Sequence, residues 1–265
     1  MKTIIFLIII VLIVIISIRV SSPEYKGKKG ETLINHKLKL VDLLGYPGKI
    51  LQNVYIPKET GGTTEIDLLY ITTRGIFVIE IKNYAGYIFG SENNRNWTVT
   101  LYAGKTWYGG NRVEKHQFYN PIWQNRTHIK NLKRFLNEDI RTFSLIVFDD
   151  RGEIQSLNIS SSDINLCYRS RVPSTIKTIW ERNDDCLSEN KINELYNRLL
   201  PLTSVSKEDK EKHIQEINKR FDSFLVCPVC GGKLIIRTAK RGYNIGNQFY
   251  GCSNYPKCKY TKNID

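Results

Sequence analysis

Two acidic residues and a lysine lie in neighbouring apolar segments that are typical of β-strands. Asp67 precedes an apolar run, and Glu80 and Lys82 interrupt the apolar segment 75–83. Side chains alternate along a strand, so Glu80 and Lys82 project from the same face. Carboxylate oxygens suit Mg²⁺ or Mn²⁺, and a lysine beside them can stabilise charge that develops on a phosphate. The pattern indicates metal-dependent phosphodiester hydrolysis, with a surface ion pair on a hairpin as the alternative.

The turn between the two segments decides which of these residues face each other. With Thr73-Arg74 as a two-residue hairpin loop, Asp67 lies opposite Glu80, whereas with Arg74-Gly75 as the loop it lies opposite Lys82. Both turns gather Asp67, Glu80 and Lys82 on one face. Two carboxylates are costly to desolvate without a counterion, and a divalent metal would supply one.

A second set of residues with metal-binding chemistry lies near the C-terminus. Four of the six cysteines fall in a short stretch, as Cys227, Cys230, Cys252 and Cys258. This spacing predicts a small module folded around one structural zinc ion. Because thiolates must stay reduced to hold metal, a cytosolic location is favoured. Cys167 and Cys186 have no partner motif and are interpreted as ordinary thiols.

The charge of the chain favours an anionic partner. The formal net charge is +13 and the pI is about 9.4, which suits phosphate polymers or an anionic membrane surface. Within residues 223–265, seven basic residues stand against one acidic residue. Aromatic residues lie between them, a mixture suited to single-stranded nucleic acid, although some of them could instead form the core of the module. The predicted nucleic-acid contacts are Lys233, Arg237, Lys240, Arg241, Tyr255, Lys257 and Lys259.

The elements that must position these residues follow from apolar spacing and turn chemistry. Asn120-Pro121 is typical of a helix cap followed by proline in the first turn. The predicted elements are a helix over 30–44, strands over 50–56, 65–71, 75–82, 86–89 and 97–102, a helix over 121–136, a strand over 143–148 and a helix over 187–200. Residues 201–219 are charged and predict a linker or an exposed helix.

The N-terminus begins with an apolar run. Residues 3–18 carry no charge and include only two polar side chains, those of Thr3 and Ser17. The run predicts either a membrane anchor or a cleaved signal peptide. The uncleaved anchor is favoured because no small-x-small cleavage pattern follows the run. Basic residues on its C-terminal flank place the remainder of the chain in the cytoplasm.

The order of the acidic, lysine and helical residues resembles a known family. Glu31, Asp67, Glu80-Ile81-Lys82 and the helical segment 120–128 together resemble the nuclease-related domain, NERD, over residues 28–148. NERD is regarded as a branch of the PD-(D/E)xK phosphodiesterases. The resemblance implies an α/β, restriction-endonuclease-like core with a central mixed sheet flanked by helices.

The same resemblance implies roles for individual residues. Asp67 and Glu80 would be metal ligands, Lys82 the catalytic lysine, and Glu31 an additional acid near the metal. Gln124 would lie close to the site, on the later helix. His128 stands where RecB-like enzymes carry a tyrosine, and it is interpreted as a structural histidine.

The cysteine segment resembles a second family. The phrase Gly251-Cys252-Ser253-Asn254-Tyr255-Pro256-Lys257-Cys258 is similar to the C-terminal zinc ribbon of bacterial type I topoisomerases, over residues 224–261. It does not imply topoisomerase activity, because the chain shows no gate domains of such an enzyme.

The sequence thus predicts a membrane-anchored, divalent-metal-dependent DNA nuclease whose zinc ribbon binds single- or double-stranded DNA. Zinc would be structural and Mg²⁺ or Mn²⁺ catalytic, with no small-molecule cofactor. A non-catalytic DNA-binding or tethering protein and an RNA-processing nuclease are the alternatives. The predicted segments are an anchor (1–20), a nuclease-like domain (28–148), its extension (149–200), a charged linker (201–222) and a zinc ribbon (223–265).

Overall fold

The computed structural model describes residues 23–59, 61–105, 111–204, 226–239 and 248–263. The chain divides into two compact units, Met1–Ser204 and Val205–Asp265. The predicted membrane anchor and most of the predicted charged linker lie outside the described residues. Within the described ranges, no helix has the length and apolar character needed to cross a bilayer.

The first unit alternates helices and strands. Its described elements are α1 (Pro23–Leu43), β1 (Gly48–Pro57), β2 (Thr63–Thr72), β3 (Gly75–Lys82), β4 (Gly86–Ser91), β5 (Asn96–Lys105), β6 (Asn111–Tyr119), α2 (Pro121–Leu136), β7 (Thr142–Phe148), β8 (Gly152–Asn158), β9 (Ile164–Tyr168), α3 (Val172–Glu181) and α4 (Glu189–Leu199). Two short 3₁₀ turns, Arg169–Arg171 and Leu200–Thr203, precede α3 and follow α4.

A five-stranded mixed sheet forms the centre of this unit, in the order β1-β2-β3-β7-β9. The β1, β2 and β3 strands pair antiparallel, whereas β3, β7 and β9 pair parallel. Apolar residues of α1 and α3 pack on one face, and those of α2 and α4 pack on the other. The predicted mixed sheet between helices is therefore confirmed.

The turn between β2 and β3 selects one of the two predicted registers. Thr72 pairs with Gly75, so Thr73-Arg74 forms the loop and the alternative loop is wrong. Gly75 has φ +134°, and a Cβ there would lie 2.5 Å from the carbonyl oxygen of Arg141. Only glycine fits this position without strain, which fixes where the hairpin turns.

The helix that faces the site begins and ends where the sequence predicts. The side chain of Asn120 accepts a hydrogen bond from the backbone N–H of Ile122, and Pro121 lies in the first turn. Asn137, in the left-handed conformation, ends α2 after Leu136. By contrast, α1 begins at Pro23, before the predicted start at residue 30, because the polar residues of its first turns carry no apolar stripe that a sequence pattern could detect.

A second, four-stranded sheet has the order β6-β5-β4-β8. It contributes the buried residues Ile88, Trp97, Val99 and Phe118 to one apolar cluster. The side-chain amide of Asn120 donates to the carbonyls of Ser91, Glu92 and Asn94, which joins the start of α2 to the β4–β5 turn. The second sheet and α2 are therefore fixed to each other at this end.

The second unit is small. Its described strands β10 (Leu234–Thr238), β11 (Gln248–Cys252) and β12 (Thr261–Asn263) form an antiparallel sheet in that order. The two cysteines Cys227 and Cys230 lie in a tight turn before β10, where Gly231 N–H donates to the carbonyl of Cys227. Cys252 ends β11, and Cys258 precedes β12.

Candidate catalytic site and cysteine cluster

The carboxylates and the lysine meet at the C-terminal end of β3. Regular pairing between β2 and β3 reaches Leu68 and Ile79 and stops there. Beyond it, Asp67 Oδ2 accepts a hydrogen bond from the backbone N–H of Ile81 at 2.7 Å. Asp67 therefore lies directly beside the segment that carries Glu80 and Lys82, held by the backbone of the neighbouring strand.

The alternation of side chains along β2 breaks at this point. Ile66 and Leu69 belong to the same core cluster, although strict alternation would place them on opposite faces of the sheet. Asp67 lies at this irregularity. The two-residue turn brings Asp67 close to Glu80 and Lys82, but local distortion and one side-chain hydrogen bond set the position of Asp67.

Glu80 and Lys82 form a buried ion pair that α2 supports. Lys82 Nζ donates to Glu80 Oε1 at 2.7 Å and to Gln124 Oε1 at 2.9 Å. The side chain of Glu80 is 2% exposed and that of Lys82 is 14% exposed. The ammonium group is thus fixed by two acceptors, and part of the lysine side chain remains accessible to solvent.

His128, predicted from the sequence as a structural histidine, also contacts this group. Its Nε2 lies 3.1 Å from Glu80 Oε2, and its Nδ1 lies 2.8 Å from Thr64 Oγ1. The ring is buried and both nitrogens have partners. The signal in the sequence was the spacing of four residues between Gln124 and His128, which places both side chains on the same face of α2.

The electrostatics separate the two carboxylates. Burial raises the pKa of Asp67 well above its ordinary value, and the negative charge of Glu80 adds to the effect. Burial alone would also raise the pKa of Glu80, but Lys82 and His128 outweigh it and hold that pKa below its ordinary value. Glu80 raises the pKa of Lys82 in turn, against the effect of burial. The site therefore keeps Glu80 ionised and resists ionising Asp67 unless a cation approaches.

Glu31, on α1, acts on the same site. Its negative charge contributes to raising the pKa of Asp67 and that of Tyr55. Tyr55 lies on β1, and its hydroxyl donates to Glu65 Oε1 at 2.7 Å. A hard divalent cation such as Mg²⁺ would relieve the repulsion between these carboxylates.

Replacing Asp67 with asparagine is expected to stabilise the metal-free protein. Burial and Glu80 raise the folded-state pKa of Asp67, so folding carries a free-energy penalty. The penalty is absent below the ordinary pKa of 3.8, grows as the pH rises from 3.8 to the raised value, and is constant above it. Asparagine removes the charge and keeps an acceptor for Ile81 N–H. In thermal unfolding with EDTA, Asp67→Asn should raise the Tm near neutral pH, and the gain should shrink as the pH falls.

A matched control uses a carboxylate with the opposite shift. Arg151 and Arg169 bind the buried Asp149, whose pKa falls to about 2 even though its burial opposes this change. Asp149→Asn should therefore lower the Tm near neutral pH, with the loss disappearing as the pH falls towards about 2. An Asp67→Asn variant that unfolds at a lower temperature than wild type near neutral pH would contradict the charge penalty at Asp67.

The four cysteines converge in the second unit. Their Sγ atoms all lie within 4.8 Å of one another, with Cys227 and Cys258 at 3.6 Å and Cys230 and Cys252 at 3.4 Å. Tetrahedral zinc with Zn–S bonds of about 2.3 Å places sulfur atoms roughly 3.8 Å apart. Hydrogen bonds from the backbone N–H of Gly232 and from Cys252 lower the pKa of Cys230 to about 6, which favours the thiolate at Cys230, whereas burial raises the pKa of Cys252. Among the described residues, this is the one group of three or more Cys, His, Asp or Glu ligands close enough to hold an ion.

Basic and aromatic side chains surround the cysteine cluster. Lys233, Lys257 and Lys259 are exposed, and Arg237 lies over the ring of Tyr255, with 5.5 Å from Cζ to the ring centroid. The ring of Tyr255 is exposed as well. Tyr250 and Tyr260 instead pack against the cysteines, as the core interpretation of the aromatic residues predicts. The predicted contacts Lys240 and Arg241 lie outside the described residues.

Comparison with known proteins assigns both units. Residues 26–149 match the family model of the nuclease-related domain, NERD, and residues 225–265 match that of the topoisomerase DNA-binding C4 zinc finger. An uncharacterized protein of Bacillus anthracis is 29% identical over 199 residues, which cover 75% of this chain and 87% of the relative. The resemblances to NERD and to the topoisomerase-type ribbon are confirmed.

Topoisomerases match over a much smaller share of their length. DNA topoisomerase 1 of Methanocaldococcus jannaschii is 55% identical over 40 residues, 15% of this chain and 5% of the relative. That of Mycoplasma genitalium is 33% identical over 157 residues, 57% of this chain and 20% of the relative. The chain therefore spans a fifth or less of these two relatives. No solved structure matches the chain significantly.

Proposed function

We propose that this chain, in which a nuclease-related domain precedes a topoisomerase-type C4 zinc ribbon, is a divalent-metal-dependent DNA nuclease anchored in the cell membrane. The observation that carries the proposal is the cluster of Asp67, Glu80 and Lys82 at the end of β3, with Gln124 bound to the lysine. A pair of carboxylates, one of them buried, beside a fixed ammonium group matches what phosphodiester hydrolysis needs from side chains.

Each residue of the cluster has a distinct task in this proposal. Asp67 and Glu80 would hold Mg²⁺ or Mn²⁺, with Glu31 as an additional acid nearby. A metal held by these residues would supply Lewis-acid chemistry, activating water and neutralising charge on the phosphate. Lys82 donates hydrogen bonds to the phosphate oxygens as negative charge grows on them, and Gln124 holds its ammonium group in position.

The zinc ribbon would supply affinity for DNA. Its exposed lysines can neutralise phosphates, and the exposed ring of Tyr255 offers a face on which a base can stack. Zinc held by the four cysteines would stabilise the fold that presents these side chains. Binding of this kind weakens with salt, because each neutralised phosphate releases counterions.

The apolar run at residues 3–18 would anchor the protein as a single membrane-spanning segment. Its basic C-terminal flank would orient both folded units towards the cytoplasm. That compartment is reducing, which keeps the four zinc-binding thiols available. Anchor, ribbon and catalytic cluster would then act on DNA close to the inner membrane surface.

A cleavage assay on the detergent-solubilised full-length protein tests this function. We expect degradation or nicking of plasmid DNA with Mg²⁺ or Mn²⁺ and none with EDTA. Asp67→Ala should lower the cleavage rate by about 10²-fold or more. Loss of a hydrogen-bond partner of a metal ligand already lowers activity by about 10- to 100-fold, and this variant loses a ligand itself. Asp139→Ala is the matched control, because Asp139 is exposed and its one ion pair among the described residues is with the half-buried Lys133.

The substrates separate the alternatives. Single-stranded DNA, duplex DNA and RNA are compared in parallel, and preferential cleavage of RNA would favour RNA processing. Salt-sensitive DNA binding without cleavage in any divalent metal would instead favour a tethering protein with a nuclease-like scaffold. Full activity in the Asp67→Ala variant would remove the proposed catalytic site.

A further inference from the structure

We propose that His128 is a positioning residue that holds the carboxylate of Glu80 in the orientation in which it binds the divalent metal, and that Thr64 fixes the ring of His128. The inference rests on the proposed function, since it assigns a task to a side chain behind the metal ligand. The sequence comparison with RecB-like enzymes gave His128 no role of its own.

Among the described residues, one side-chain donor contacts each oxygen of Glu80. Lys82 Nζ lies 2.7 Å from Oε1, and His128 Nε2 lies 3.1 Å from Oε2. A carboxylate oxygen can only accept a hydrogen bond, so Nε2 carries the proton and its N–H donates a hydrogen bond to Glu80 Oε2. In the neutral ring, Nδ1 is then an acceptor, and the Thr64 hydroxyl at 2.8 Å donates to it. The two donors hold the carboxylate at both ends and leave one lone pair on each oxygen for a metal.

The two contacts of the His128 ring indicate that it acts through Glu80 and does not meet the substrate. Its exposed fraction is 3%, compared with 1% for Glu80 and 8% for Thr64. Both ring nitrogens already have partners, Glu80 and Thr64, so neither is left to bind a phosphate. Its hydrogen bonds are correspondingly costly to break, because each partner would be left buried without an acceptor or donor.

The helix α2 sets the ring in place. Gln124 and His128 are four residues apart on one face of α2, so the helix contacts the lysine through one side chain and the glutamate through the other. The start of α2 is itself anchored by Asn120, which is fully buried. The chain of contacts from Thr64 to Gln124 therefore supports the whole Glu80–Lys82 pair from a rigid element.

Groups that orient metal ligands in this way affect the affinity for the metal directly. Removing such a hydrogen-bond partner typically lowers metal affinity or activity by about 10- to 100-fold. A merely structural histidine would lower the thermal stability instead, with the metal dependence of the folded protein unchanged. The two roles thus differ in a quantity that can be measured below the unfolding temperature.

The test compares His128→Leu, His128→Gln and Thr64→Val in the full-length protein. Glutamine carries an amide nitrogen near the position of Nε2 and can donate to Glu80, whereas leucine cannot. Mn²⁺ affinity is measured by electron paramagnetic resonance, and the Mg²⁺ concentration for half-maximal cleavage is measured alongside. His128→Leu should lower the Mn²⁺ affinity, and raise the Mg²⁺ concentration for half-maximal cleavage, by about 10- to 100-fold. Both quantities should stay close to wild type in His128→Gln and lie between the two in Thr64→Val.

The matched control is His116→Leu, which makes the same change at an exposed histidine on β6. It should leave the Mn²⁺ affinity at the wild-type value. Wild-type Mn²⁺ affinity in a folded His128→Leu variant would overturn the inference, as would a loss in His128→Gln equal to that in His128→Leu. If His128→Leu does not fold, wild-type Mn²⁺ affinity in Thr64→Val overturns the part assigned to Thr64, and the glutamine variant still tests the donor.

The two proposals fail in different ways. A wild-type protein that binds Mn²⁺ but cleaves no nucleic acid contradicts the proposed nuclease, and the Mn²⁺ measurements still decide the role of His128. A wild-type protein that binds no Mn²⁺ overturns both, because Glu80 would then not be a metal ligand.

Discussion

Replacement of Lys82 with methionine is expected to abolish metal-dependent DNA cleavage, with a fall of about 10²- to 10³-fold in the single-turnover rate. Methionine keeps an apolar stem of similar length but removes the ammonium group, which contacts both Glu80 and Gln124. The transition state of phosphodiester hydrolysis gains negative charge, so an ammonium group stabilises it more than it stabilises the ground state.

The measurement distinguishes loss of chemistry from loss of structure. Lys133→Met makes the same substitution on α2 at a lysine that contacts the exposed Asp139, and it should leave the cleavage rate unchanged. Because lysine is not a metal ligand in this proposal, Lys82→Met should still bind Mn²⁺. Cleavage within a few-fold of the wild-type rate would show that Lys82 does not act in the chemical step.

The second large effect is expected from the cysteine cluster. Cys252→Ser removes one of four thiolates from a site in which Cys252 is 1% exposed. Structural zinc contributes on the order of 10–16 kcal/mol in small zinc-dependent folds, so loss of the metal should unfold residues 225–265. The lysines and Tyr255 would then no longer share one surface, and DNA affinity should fall by about 10-fold or more, in keeping with the loss of several phosphate contacts.

Two measurements test this prediction together: the zinc content of the protein and its DNA affinity over a series of salt concentrations. Wild-type protein should bind one zinc per chain, and its DNA affinity should fall on a log–log plot against salt with a slope of roughly 0.9 per phosphate neutralised. Cys252→Ser should lose the zinc and flatten the slope. Cys186→Ser is the control, because Cys186 is an exposed cysteine outside the cluster. An unchanged slope after loss of zinc would show that the ribbon does not hold DNA.

Local signals in the sequence were sufficient for several elements. Asn120 and Pro121 define the start of α2 through short-range chemistry, since a side-chain cap and a proline need no distant partner. The strands of the β2–β3 hairpin were predicted from their apolar runs, and the four cysteines from their spacing alone. These features depend on neighbours within a few residues, which is why a single sequence carries them.

Other strands and helices were not predicted from the sequence. The strands β6 and β8 are largely polar and exposed, so they show no clear alternation. The helix α3 carries Val172, Ile176 and Ile179 at helical spacing, but no helix was predicted there. Each of these elements is defined by the sheet or core it joins, and pairing with distant residues is not visible in a local pattern.

The sequence by itself determined which groups are available to this protein: two carboxylates and a lysine on one hairpin, a glutamine on a capped helix, and four thiols at metal-binding spacing. Tertiary structure decided how they are held. The irregularity at Asp67, the choice of the Thr73-Arg74 loop, and the contact of His128 with Glu80 all depend on residues far apart in the chain. Hydrogen bonds and burial act over a few ångströms in space, so only the folded chain could select Glu80 as the partner of both Lys82 and His128.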